Sequence, residues 1–284
     1  MPNIEIREVE LYEQTPSRSV SICFIVLFGL LTLSITIQTL IYKYRVWWVL
    51  LFTIGGIMEV IGWVGRYQSS IDDTNVTPFR MQHIALMTAP VWFSGGCFVA
   101  IGVVLYRIGN GRRLPPFKVY MFGFSVASCV YTVIQIIGVG LSLRGMEEQN
   151  EDMIWKWTVT LSGGIILQIF FMCLLVLLSL GICWRKRRGI SKRHQILVLG
   201  TIFCSALITV HCFFRIGELV DRDYLTLNVD EESMVLLDAV AICLCMFFFQ
   251  LVHPGRTLRE EDKPKAEENQ TQQAIELVEN VNKV

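Results

Sequence analysis

A few ionisable side chains interrupt otherwise apolar stretches of this 284-residue sequence, and their spacing is regular. Glu59 is the one charged residue in "VWWVLLFTIGGIMEVIGWVG", and Arg66 follows seven residues later. His211, Arg215 and Glu218 follow an i, i+4, i+7 pattern, and Glu231 and Asp238 are again seven apart. On an α-helix each set falls on one face. Gln135 and Gln168 place uncharged polar groups in two further apolar stretches, as do Gln38 and Gln250. Ionisable groups within a membrane are costly, and they usually face a bundle interior or a water-filled cavity.

Two kinds of chemistry fit such a set. Ion pairs between the stripes would fix helix registry and do nothing more. Alternatively, the same network lines a polar cavity for substrate headgroups or protons. Glu59 and Asp238 are the expected partners of Arg215, and Glu218 or Glu231 the expected partner of Arg66. In the functional reading Glu59 and Asp238 receive the cationic headgroup or the proton. Arg66, His211, Arg215 and Glu218 then hold the outer mouth.

The elements that must carry these residues are membrane spans. The chain is 53% hydrophobic and only 18% charged, whereas a soluble protein carries about 25% charged residues. A spanning helix needs about 20 mostly apolar residues. Seven segments qualify: 20–42, 46–66, 84–106, 119–143, 157–184, 196–217 and 233–252. The expected fold is an all-α membrane protein, a seven-transmembrane-helix bundle. It divides into an N-terminal tail (1–19), a membrane domain (20–256) and a polar tail (257–284) that reads as disordered.

Lysines and arginines set the orientation. One set of loops, with the residues just after the last span, carries fourteen of them, six in "RKRRGISKRH"; the other side carries seven. The expected orientation puts the N-terminus outside and the C-terminus in the cytoplasm. The N-terminal tail holds Glu5, Glu8, Glu10 and Glu13 rather than a basic stretch, so a signal anchor is expected rather than a cleaved signal peptide. All nine cysteines lie within or at the ends of spans, which leaves no extracellular disulfide framework. Asn75-Val76-Thr77 is a possible glycosylation site in the expected outer loop, with Pro78 directly after it.

Composition and motifs exclude several classes. A net charge of zero argues against a nucleic-acid partner. The four histidines, His83, His194, His211 and His253, are too scattered to converge on one metal or to hold two haems. No nucleotide-binding loop is present. No catalytic constellation, cofactor or metal is expected, so the chain reads as a non-enzyme. A rhodopsin-like receptor would show an acidic–Arg pair at the inner end of span 3. Here that end reads "VVLYRIGNG", and the last span has no proline before Pro254.

The polar residues also carry a resemblance. Span 2 offers Glu59, Gly62, Trp63, Gly65 and Arg66. Span 3 begins with Ala89-Pro90 and ends at Arg107. Gln135 with Gly138, Gly164 with Gln168, Arg215 with Glu218, then Glu231, Asp238 and the "HPG" at 253–255 follow in order. In these residues the sequence resembles the fungal lipid-translocating exporter family over residues 22–258. It departs from that pattern at Ser128, His211 and Val235, where the family has Asp, Arg and Tyr. The resemblance implies export or transbilayer movement of a lipid-like amphiphile at the plasma membrane, such as a sphingoid base or sterol-like compound. Resistance to toxic lipids or drugs would follow. The expected partners are that small molecule and membrane lipids. The alternative function is a seven-span lipid receptor or sensor, or a regulator of other transporters.

Overall fold

The computed structural model describes residues 15–42, 46–108, 117–148, 151–185, 192–220 and 234–257. Within them the chain forms α1 (Arg18–Tyr42), α2 (Leu50–Ser69), α3 (Val76–Ile108), α4 (Phe117–Glu148), α5 (Glu151–Arg185), α6 (Lys192–Val220) and α7 (Ala241–Leu251). A 3₁₀ turn, Trp47–Val49, leads into α2, and a π-helical segment, Met234–Val240, leads into α7. No strand occurs among the described residues. Seven stretches are long and apolar enough to cross a membrane. The protein is a multi-pass membrane protein built as a seven-helix bundle. The readings of the two tails fall largely on residues 1–14 and 258–284, outside the described residues.

α1 shows why the bundle belongs in lipid. Its buried face carries Ser21, Thr32 and Thr39 beside Phe24, Phe28 and Ile35, while Val26, Leu30, Leu33 and Ile41 point outward. A water-soluble helix would be arranged the other way round. In a bilayer the outer face meets hydrocarbon, and helices associate through close packing of small side chains. Thr39 returns its hydroxyl to the Ile35 carbonyl at 2.8 Å, so a buried polar group is satisfied locally.

α3 occupies the centre. Its most apolar window is 72% buried, against 28% for α1, and it packs on α2, α4 and α6. α7 lies against α6 and α1, which closes the bundle. Aromatic stacking ties the inner helices together. Phe52 of α2 stacks on Phe249 of α7 with ring centroids 3.6 Å apart, and Phe24 of α1 stacks on Trp63 of α2 at 4.6 Å.

α3 starts at Val76, well before the expected start of its span at 84. The difference has a local cause. Asn75 accepts the Thr77 backbone N–H at 3.0 Å, which caps the helix, and Pro78 is tolerated in a first turn. Asn75 is exposed at that cap. α3 then runs 33 residues, or about 50 Å at ~1.5 Å per residue, against an apolar bilayer core of about 30 Å.

Two glycines set the closest helix approaches. A Cβ on Gly65 would stand 2.8 Å from the Pro78 carbonyl oxygen and the Gln82 nitrogen of α3. A Cβ on Gly138 of α4 would stand 2.8 Å from the Leu161 nitrogen of α5. At both places backbone meets backbone, and no side chain fits between.

Candidate functional site

α6 presents His211, Arg215 and Glu218 on one buried face. Arg215 donates from Nη2 to Asp238 Oδ2 at 2.6 Å and from Nη1 to Glu218 Oε2 at 2.8 Å. His211 Nδ1 sits 2.6 Å from Asp238 Oδ1, off the line of an ordinary hydrogen bond. Asp238 is therefore held between two residues one turn apart on the neighbouring helix. It is itself placed by the π-helical segment at the start of α7. Such segments are rare and often mark functional sites, because the extra residue per turn redirects a side chain.

Glu59 of α2 faces the same cluster and is 3% exposed. Arg215 and Asp238 both act on it electrostatically, yet Glu59 makes no ion pair among the described residues. The Trp63 indole, one turn along α2, lies beside it without an ordinary hydrogen bond. Arg66, one further turn portion along, stands 5.8 Å over the Trp63 ring and is within electrostatic reach of Asp238. The Arg215 Nε is buried without a hydrogen-bond partner. Buried polar atoms are usually hydrogen-bonded, so such atoms set this cluster apart from an ordinary closed ion-pair network.

Six residues singled out by spacing thus meet around one point: Glu59, Arg66, His211, Arg215, Glu218 and Asp238. One pairing differs from the sequence expectation. Arg215 takes Asp238 and Glu218 rather than Glu59 as its direct partners. Glu218 bonds within its own helix, at i+3 from Arg215. Glu231 lies outside the described residues. Asn75 caps α3 and takes no part in this cluster.

Gln135 and Gln168 build something separate. Gln135 donates to Gln168 Oε1 at 2.8 Å, Gln168 donates to Ser94 Oγ at 2.8 Å, and Ser94 donates to the Pro90 carbonyl at 2.8 Å. This buried chain links α4, α5 and α3 and closes on the proline inside α3. Ser94 was not among the expected site residues. Its position in "SGG" reads as helix packing, and only the partner glutamines on other helices reveal its role. Gly164 lets the chain form, because a Cβ there would stand 2.7 Å from Gln135 Cγ.

The family model described as "RTA1 like protein" matches residues 52–261. The chain belongs to this RTA1-like family. The matched region contains the whole charged cluster and the glutamine chain. Among curated relatives, the "Probable lipid transporter atnI" of Emericella nidulans is 25% identical, covering 88% of this chain and 68% of its own length. The "Sphingoid long-chain base transporter RSB1" of Saccharomyces cerevisiae is 23% identical, covering 84% of this chain and 72% of its own. "Protoporphyrin uptake protein 1" of the same yeast is 22% identical, covering 85% and 91%. No solved structure matches.

Proposed function

We propose that this protein moves lipid-like amphiphiles across the plasma membrane, with export of a sphingoid-base-like compound as the activity that best fits. The observation that carries this reading is Glu59, an acid buried in the bundle beside a cluster whose other charges already hold one another. A cation entering the bundle would gain most at a buried carboxylate that lacks an ion pair. The ammonium of a long-chain base is such a cation. The names of two relatives, a lipid transporter and a sphingoid long-chain base transporter, support the same cargo class. With protoporphyrin uptake they share an amphiphilic molecule. They favour transport over the receptor or regulator alternative.

In this reading Asp238 and Arg215 form the fixed wall of the site, and Glu59 is the acceptor. The protein works without a cofactor and catalyses no bond change. Removal of toxic amphiphiles from the cell would confer resistance to them. The N-terminus lies outside, so the cluster sits in the outer half of the membrane.

Flux tests the reading. Purified full-length protein is placed in vesicles, and a labelled long-chain base is followed from one leaflet to the other. Faster movement than in protein-free vesicles is expected. Unchanged movement for long-chain bases and for sterol-like compounds would overturn transport by this chain alone and return the receptor or regulator alternative.

A further inference from the structure

We propose that the cleft between α1 and α7, at the end of the bundle opposite the charged cluster, binds the headgroup of an anionic phospholipid from the adjoining leaflet. The cleft has a volume of about 420 Å³, within the ~300–1,000 Å³ range of small-molecule sites. Gln250 of α7 donates to Ser34 of α1 across it. Its wall changes character along the helices. Gln38 and Arg256 line one end, and Leu30 and Phe247 line the other, where both are exposed to the surrounding lipid. A molecule that fits this wall is polar at one end and apolar at the other. Its chains continue past the cleft along the outer surface of α1 and α7.

The sign of the headgroup follows from the charges present. Arg256 is exposed, and its guanidinium meets no carboxylate among the described residues. Among the described residues no Asp or Glu lines the cleft. The other titratable groups nearby do not alter this balance. His253 accepts the Gly255 N–H at Nδ1, at 3.1 Å, while its Nε2 faces Thr39 at 3.4 Å, so the ring is already used. Tyr42 stacks on that ring. An exposed guanidinium that meets no carboxylate among the described residues, beside a cleft they line without an acid, is complementary to phosphate, which it can bind through two parallel N–H donors.

Gln38 adds a second requirement. Its Oε1 is buried with no hydrogen-bond partner, so it needs a donor from the ligand. A headgroup with a hydroxyl or ammonium next to its phosphate supplies both halves. The location agrees. In an up-and-down bundle this end is shared with the 1–2, 3–4 and 5–6 connections, which carry twelve lysines and arginines. Basic connections lie against the anionic leaflet.

A lipid seated here bridges α1 and α7. Asp238 is twelve residues from Gln250 on the same helical run, about 18 Å away at ~1.5 Å per residue. The lipid site is therefore separate from the charged cluster. It does not depend on the transport reading, and its test measures no flux.

The test is native mass spectrometry of the full-length protein, purified with equal amounts of phosphatidylglycerol and phosphatidylcholine of matched chains. The expected result is retained phosphatidylglycerol in about ten-fold excess, the worth of one charge-assisted contact. Arg256→Gln should abolish the excess, and Leu30→Trp, which fills the cleft, should lower retention of both lipids. Arg256 is exposed, and an unchanged melting temperature would show that its variant is folded. Equal retention of the two lipids, or an excess that survives Arg256→Gln, would overturn the proposal. So would displacement of the lipid by millimolar inorganic phosphate, since the site would then recognise the free anion.

Discussion

Arg215 of α6 and Asp238 at the start of α7 are joined by a 2.6 Å hydrogen bond, with both side chains buried. Glu218 and His211 bind the same two residues from α6. Breaking a buried ion pair by removing one partner costs about 3–5 kcal/mol, because the other charge is left buried and unpaired. Asp238→Ala should therefore lower the detergent-solubilised melting temperature sharply. Arg215→Ala should do at least as much damage, since it removes the guanidinium that two carboxylates share. The double replacement Arg215→Met with Asp238→Leu should be less harmful than the sum of the single changes. Additive losses in thermal unfolding would show that the pair is not coupled.

Glu59 should behave differently. It makes no ion pair among the described residues, so Glu59→Gln keeps the shape of the side chain and removes only its acid. The melting temperature should stay within a few degrees of the wild type, in contrast to Asp238→Ala. A collapse as large as that of Asp238→Ala would mean that Glu59 is structural.

The glutamine chain should act as one unit. Gln168 sits between Gln135 and Ser94, so Gln168→Leu breaks two hydrogen bonds and leaves the buried Gln135 amide without its acceptor, at roughly 1–3 kcal/mol. Gln135→Leu breaks one. The double change should cost little more than Gln168→Leu alone. Chemical or thermal unfolding of the three variants measures this directly.

Gly138 and Gly140 are a matched pair on α4. A side chain at Gly138 meets α5 backbone at 2.8 Å, while nothing lies within 4 Å of a Cβ at Gly140. Gly138→Val should cost about 1–3 kcal/mol or more through overpacking. Gly140→Ala should be neutral or slightly stabilising, because alanine is the better helix former. Equal effects at the two sites would contradict the close α4–α5 approach.

Much of this architecture is legible in the sequence. Seven apolar runs of about 20 residues name the spans, and the seven-residue spacing of Glu59 and Arg66 names the face that turns inward. Asp238 is an expected partner of Arg215 because both are isolated charges in apolar runs. Other features leave no such mark. The π-helical segment that aims Asp238 has no signature in the hydrophobic pattern. Glu218 satisfies Arg215 within α6, so Glu59 is left outside the pair, and that outcome depends on side-chain geometry rather than spacing. Ser94 joins the glutamines only through helices distant in sequence. The early start of α3 depends on the cap at Asn75, outside the apolar run that defines the span.

The central claim is that the Glu59 carboxylate receives the positive charge of the cargo. The most direct measurement compares transbilayer movement of a long-chain base and of its uncharged N-acetyl derivative, in vesicles containing wild-type protein or Glu59→Gln. The account predicts that wild-type protein moves the base faster than the acetylated compound. Glu59→Gln should cut movement of the base by about ten-fold, the scale of one charge-assisted contact, and leave the acetylated compound unchanged. Equal movement of the base by wild type and Glu59→Gln would contradict it.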